Sequence, residues 1–116
     1  MAIEWSKTQR QAVAEILERC PPESGRCDEA AAGVLPIAHQ RDPAAHTVRI
    51  EPAGDAIYLM PKAPLHGNWW HYHVTVHTER HYVDALTGCD GTPTEGYFEE
   101  HWKYSDPEAY QLTSQS

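Results

Sequence analysis

The chain has 116 residues, a formal net charge of −8, 41% apolar residues and four tryptophans. This length and composition are typical of one globular domain, residues 1–116, and exclude a disordered chain. A negative field repels phosphate groups, so we expect neither nucleic acid nor an anionic membrane surface as a partner.

Three cysteines, Cys20, Cys27 and Cys89, form an odd set without a CxxC pair. Such a set argues against a full disulfide framework and favours a reduced, cytoplasmic protein. The first residues lack the apolar run of a signal peptide, and no stretch approaches the length of a membrane span. Secretion as an effector, by a route without a classical signal peptide, is the alternative location.

Two helices are predicted in the first third of the chain. Helical spacing of apolar residues favours a helix over residues 5–19, with Ser6 or Thr8 as its N-cap. A second, alanine-rich helix is predicted over residues 26–38, where Pro36 and the mixed segment "HQRDPAAH" (39–46) are expected to end it.

Strand-like patterns follow from residue 46 onward. Short strands are predicted at "HTVRIEP" (46–52) and "DAIYLMP" (55–61), and a short helix and an edge strand are predicted in the tail. Helices followed by a meander of four or five strands predict an α+β fold, with the N-terminal helices packed on an antiparallel sheet.

Residues 69–86, "WWHYHVTVHTERHYVDAL", are predicted to form a β-hairpin. Alternation places His71, His73 and His77 on one face of its first strand. A turn centred between Thr78 and Glu79 puts His73 directly opposite Asp84. Directly opposed side chains lie about 4.5–5.5 Å apart at Cβ, which suits a hydrogen bond from the imidazole to the carboxylate.

Cys27 is predicted to lie in the first turn of the second helix. Free backbone N–H groups and the positive end of the helix dipole favour a thiolate at that position. A thiol nucleophile also needs a base within reach and a group that orients the base. The His73–Asp84 pair supplies both types of residue.

In this order, Cys27 at a helix start, the strand "HVTV" and the segment "YVDALTG" resemble the papain-like cysteine hydrolase superfamily. The likeness covers residues 24–112 and is greatest to small bacterial toxin or deamidase-like domains, with NlpC/P60 and transglutaminase-like proteins more distant. It implies a papain-like fold and a triad that cleaves or transfers an acyl group at an amide, without a cofactor. Cys27 matches the nucleophile, His73 the general base and Asp84 the orienting residue.

The resemblance implies a protein or peptide substrate, and a toxin-like role would add an inhibitory partner protein. The family builds its oxyanion hole with a glutamine before the cysteine, but residues 20–26 contain none. Gln9, Gln11, or the Cys27 N–H together with Ser24 are the alternative donors. An inactive papain-like domain that binds a protein is therefore the first alternative function.

Two further predictions concern residues around the proposed base. Ser24, Trp69 and His71 are candidates for the substrate cleft, whereas Trp70 is expected in the core. The histidines also permit a small metal-binding protein, in which His71, His73 and His77 would hold zinc or copper.

Overall fold

The computed structural model describes residues 2–21, 26–54, 58–62, 70–103 and 106–115. In chain order the elements are α1 (Lys7–Arg19), α2 (Cys27–His39), β1 (His46–Pro52), β2 (His73–Thr78), β3 (His81–Val83), β4 (Thr92–Pro93), α3 (Tyr97–His101), a short 3₁₀ helix (Pro107–Ala109) and β5 (Tyr110–Gln115). The strands form one antiparallel sheet in the order β4-β3-β2-β1-β5. The α+β prediction is confirmed, with the N-terminal helices packed on the sheet.

Helix α1 begins as its sequence predicts. The Ser6 side chain accepts a hydrogen bond from the Gln9 N–H, and the Gln9 side chain accepts one from the Ser6 N–H. This capping box satisfies two backbone donors that the helix itself leaves unpaired. Within the described ranges, neither α1 nor any other helix is long and apolar enough to span a membrane.

Helix α2 (Cys27–His39) agrees with the predicted span of residues 26–38 to within one residue at each end, and Pro36 lies inside the helix. Proline removes one backbone hydrogen bond and usually disrupts a helix interior. Here Pro36 is exposed, whereas Val34 and Ala38 on either side of it are fully buried. Packing of that apolar face against the rest of the core stabilises the last turn despite the missing bond.

The turn between β2 and β3 is centred between Glu79 and Arg80, one residue later than predicted. Thr78 pairs with His81, so Glu79 and Arg80 form a two-residue turn, and both have positive φ, 48° and 63°. Two consecutive left-handed residues are the signature of a type I′ turn, which matches the twist of a hairpin. The Asp42 carboxylate accepts a hydrogen bond from the Glu79 N–H at 3.0 Å and fixes this conformation.

The predicted strand at residues 55–61 is not formed in its described part. Residues 55–57 lie outside the described residues, and residues 58–62 make only two isolated bridges, Leu59 with Trp70 and Pro61 with Trp102. These bridges bring residues 58–62 close to Trp70, just before β2, and to Trp102, just after α3.

Two hydrophobic clusters cover the two faces of the sheet. The cluster under α1 and α2 includes Val74 and Val76 from β2, and the cluster on the opposite face includes Val48 and Ile50 from β1. Strand β2 is consequently buried on both faces. A polar side chain on β2 must then find its hydrogen-bond partners inside the protein.

Candidate active site

Asp84 directly follows β3, and its carboxylate is saturated with hydrogen bonds. Oδ1 accepts from the backbone N–H groups of Leu86 at 2.9 Å and Thr87 at 3.1 Å, as in an Asx turn. Oδ2 accepts from Nε2 of His73 at 3.0 Å and from the hydroxyl of Tyr97 at 2.6 Å. The side chain is 3% exposed, so these four donors replace its hydration.

His73, the first residue of β2, is also 3% exposed. Its ring stacks on Trp70, with centroids 5.3 Å apart, and meets the edge of Trp102 at 5.5 Å. The bond from Nε2 to Asp84 assigns the proton of the neutral ring to Nε2, which leaves a lone pair on Nδ1. Among the described residues Nδ1 has no hydrogen-bond partner, although it is buried.

His73 and Asp84 meet although the predicted pairing of the hairpin is wrong. In the observed register Val76 faces Val83, so continuing the ladder puts Thr75, not His73, opposite Asp84. His73 is the diagonal neighbour on the same face, because side chains two residues apart point the same way. The predicted partner of Asp84 is displaced by two residues from the observed one, and a shift of two residues keeps a side chain on the same face of the strand.

Cys27 is the first residue of α2, as expected, and is partly exposed. It lines a small pocket together with His73 and Asp84. The pocket has a volume of about 30 Å³, enough for a water molecule, and its lining residues are Cys20, Pro21, Cys27, Ala30, Trp70, His73, Val74, Asp84 and Ala85. The structure thus brings Cys27, His73 and Asp84 together around one cavity.

The electrostatics of the pair favour a charged imidazole. Burial by itself lowers the pKa of His73, but the charge and hydrogen bond of Asp84, followed by a smaller effect of Cys27, raise that pKa to about 9. Burial raises the pKa of Asp84, yet His73, Thr75 and Tyr97 together lower it to about 2. At neutral pH the pair is therefore an imidazolium and a carboxylate. Cys27 is close enough to contribute to the raised pKa of His73, although Nδ1 of His73 has no hydrogen bond of normal geometry.

The start of α2 offers backbone donors beside the thiol. Its N-cap residue, Arg26, does not cap the backbone N–H groups of the helix, because its guanidinium donates to the Glu29 carboxylate and to the Arg19 carbonyl. The first N–H groups of a helix lack partners within the helix and attract negative charge. Asp28, in the same turn, accepts a hydrogen bond from the Tyr72 hydroxyl at 2.6 Å, and the Arg49 guanidinium lies 3.9 Å from the centre of the Tyr72 ring.

The other cleft predictions have mixed outcomes. Ser24 and Trp69 lie outside the described residues. His71 is exposed, packs its ring against Tyr58 at 5.4 Å and does not line the pocket. Trp70, predicted as a core residue, packs against the second cluster but also forms a wall of the pocket. Its position before β2 allows both contacts.

Neither glutamine suggested as an oxyanion-hole donor reaches the pocket. The Gln9 side chain caps α1 and donates to Gln40 Oε1 at 3.1 Å, and Gln11 is exposed. Of the predicted donors, the backbone N–H of Cys27 is the one that lies at the described part of the site.

The alternative metal site is not formed by the residues proposed for it. Neighbouring residues on one face of a strand, at i and i+2, lie more than about 6 Å apart, and a third residue on that face lies farther still. A single strand therefore does not supply three ligands to one ion. His73 is committed to Asp84, and the His77 ring packs against His46 at 4.9 Å. In the part of the chain that the structure describes, no three His, Cys, Asp or Glu side chains converge as metal ligands.

Tyr97 and Trp102 belong to the site and were not predicted from the sequence. Both are fully buried and come from α3 and the residue that follows it. The acidic segment "YFEEHW" is predicted from its sequence to be a solvated helix face, which is wrong for Tyr97 and Trp102. Helical periodicity does not reveal that the Tyr97 hydroxyl donates to the Asp84 carboxylate.

The chain matches no protein-family model, no curated protein and no solved structure.

Proposed function

We propose that this protein is a cysteine-dependent enzyme that cleaves or transfers an acyl group at an amide, of the papain-like type. The observation that carries the proposal is the Nδ1 atom of His73. It is buried, without a hydrogen-bond partner among the described residues, in a ring that lines the same pocket as Cys27, while Nε2 is held by Asp84. A buried polar atom left unpaired costs free energy, which a role in proton transfer to a reacting group explains.

In the proposed reaction the Cys27 proton resides on Nδ1 of His73 before substrate binds, so the reactive form is a Cys27 thiolate beside a His73 imidazolium. The sulfur attacks the amide carbonyl carbon, and the backbone N–H groups at the start of α2 stabilise the resulting oxyanion. The imidazolium then donates its Nδ1 proton to the leaving nitrogen as the C–N bond breaks. This step leaves a thioester on Cys27.

The second half of the reaction uses the same ring nitrogen. His73 accepts a proton from water at Nδ1, the hydroxide oxygen bonds to the carbonyl carbon, and the C–S bond breaks, which releases the acid and regenerates the Cys27 thiolate beside the His73 imidazolium. With water the activity is that of a protease, amidase or glutamine deamidase, and with an amine it is that of a transglutaminase. Asp84 holds the imidazole in one tautomer throughout.

Alkylation with iodoacetamide, mapped by mass spectrometry, tests the proposal before any substrate is known. Cys89 is a partly exposed thiol in the same chain and serves as an internal reference. At about pH 7 we expect Cys27 to react at least about tenfold faster than Cys89, because a paired imidazolium favours the reactive thiolate. His73→Ala should abolish that advantage while the Cys89 rate stays the same.

Equal rates for Cys27 and Cys89 in the folded wild-type protein would contradict the proposal and favour an inactive, protein-binding domain. If the labelling result is positive, release of ammonia from a glutamine-containing peptide and cleavage of a peptide library distinguish deamidation from proteolysis. The Cys27→Ser variant is the control for both assays.

A further inference from the structure

One carboxylate oxygen receives two buried hydrogen bonds. Oδ2 of Asp84 accepts from Nε2 of His73 at 3.0 Å and from the Tyr97 hydroxyl at 2.6 Å. The other oxygen is occupied by the backbone N–H groups of Leu86 and Thr87. Any change in one donor to Oδ2 therefore alters how strongly that oxygen holds the other donor.

The Tyr97 hydroxyl has no packing function that phenylalanine could not fill. The ring is fully buried and lies 4.7 Å from the Tyr82 ring and 5.2 Å from the Phe98 ring. Burial and the Asp84 charge raise the pKa of Tyr97 well above its ordinary value, so the phenol stays protonated and donates. A buried O–H in an aromatic cluster is retained for its hydrogen bond.

The direction in which the Tyr97 hydroxyl changes the proton affinity of His73 follows from the charge of Asp84. Donation by Tyr97 stabilises the ionised carboxylate and contributes to lowering the pKa of Asp84. Because this hydrogen bond withdraws part of the negative charge of the carboxylate, Asp84 attracts the imidazolium less strongly. Tyr97 therefore moderates the effect by which Asp84 raises the proton affinity of His73.

We propose that Tyr97 is a positioning residue, whose hydroxyl, bound to Asp84 Oδ2, limits how tightly Asp84 holds the imidazolium so that His73 can release its proton at Nδ1. The inference rests on the proposed function, since proton release at Nδ1 serves the leaving group in the Cys27 reaction. A ring held too firmly as imidazolium is a poor proton donor to the leaving nitrogen.

The test is the titration of His73 followed by NMR of its ring nitrogens, in Cys27→Ser protein so that the thiol does not contribute. Tyr97→Phe should raise the titration midpoint by about half a unit to one unit. Tyr82→Phe is the matched control, because it removes a buried phenol hydroxyl from the same cluster without touching Asp84. That variant should leave the midpoint unchanged.

Site-specific 3-fluorotyrosine at position 97 provides the opposite change and keeps the packing. Its more acidic hydroxyl donates more strongly, so the midpoint should fall. An unchanged or lowered midpoint in folded Tyr97→Phe, or an unchanged or raised midpoint with 3-fluorotyrosine, would overturn the proposal. If Tyr97→Phe does not fold, the titration midpoint of His73 in the protein with 3-fluorotyrosine decides between these outcomes.

These titrations are independent of the alkylation assay. A midpoint shift together with an unreactive Cys27 would reject the enzyme and keep the coupling between Tyr97 and His73. A reactive Cys27 without a midpoint shift would reject only the role of Tyr97.

Discussion

Nε2 of His73 lies 3.0 Å from Oδ2 of Asp84, and each of the two side chains is only 3% exposed. Removing two charges from water costs several kcal/mol per ion, and a buried pair often stabilises a protein no more than apolar residues of the same volume would. The role that we propose for the imidazole at Nδ1 therefore explains the pair better than stability does. The charges of the pair nevertheless give the protein properties that can be measured.

Asp84→Asn should convert His73 from a charged to a neutral ring at neutral pH. Without the carboxylate, burial becomes the dominant influence, and burial lowers the pKa of His73. We expect its titration midpoint to fall from about 9 to below 6.5, the ordinary value for histidine. NMR titration of the imidazole measures this change. A midpoint that stays near 9 would show that Asp84 is not its cause.

The Asp84→Asn protein should also react more slowly with iodoacetamide at Cys27, since a neutral imidazole no longer favours the thiolate. A reduction of about tenfold or more relative to Cys89 is expected near pH 7. Asp106→Asn is the matched control, because Asp106 is exposed, accepts a hydrogen bond from the Glu108 N–H and does not line the pocket. It should leave the ratio of the two rates unchanged.

The free energy of unfolding should depend on pH through this pair. The pKa of His73 is raised from 6.5 to about 9, so its contribution is complete below pH 6.5 and is lost as the pH rises through 9. The pKa of Asp84 is lowered from 3.8 to about 2, so its contribution is present above pH 3.8 and is lost as the pH falls through 2. The pair thus stabilises the fold most between these two limits.

Urea unfolding of wild type and Asp84→Asn at a series of pH values measures that contribution. We expect a difference of roughly 3 kcal/mol near pH 6, at the low end for a broken buried pair because His73 can lose its proton. The difference should shrink above pH 9, where the wild-type imidazole is neutral as well. A difference that does not vary with pH would contradict the ion pair.

Trp70 should control access to Cys27. It stacks on His73 and forms a wall of a pocket of about 30 Å³. Trp70→Ala should accelerate modification of Cys27 by a bulky maleimide more than modification by iodoacetamide, because the enlarged opening removes a steric limit. Phe98→Ala is a control from the same cluster that does not line the pocket. An equal effect of Trp70→Ala on both reagents would argue against a steric role.

The hairpin turn should be improvable without any effect on the site. Arg80 is exposed and has φ of 63°, a conformation that glycine adopts without strain. Arg80→Gly should raise the free energy of unfolding by about 0.5–1 kcal/mol, whereas Arg80→Ala, which removes the same side chain but keeps the strain, should not. Cys27 alkylation should be unchanged in both, since Arg80 lies at the opposite end of β2 from His73.

Local patterns in the sequence were sufficient for most elements and for the three residues of the proposed triad. The Ser6 cap, strand β1, the edge position of β5 and Cys27 at the start of α2 follow from capping chemistry and alternation, which act over a few residues. The His73–Asp84 contact was predictable in spite of a wrong turn, because a strand repeats every two residues.

Only the tertiary structure decided what surrounds those residues. Packing on both sides of Pro36 kept α2 continuous, and the Asp42 carboxylate, distant in sequence, fixed the turn at Glu79. The Tyr97 hydroxyl on Asp84 and the unpaired Nδ1 of His73 depend on which buried atoms meet between segments distant in sequence. The sequence alone therefore pointed to the three residues that we propose as nucleophile, base and orienting residue. The protonation and geometry on which their chemistry depends arise from burial and from contacts between distant segments, which no local pattern encodes.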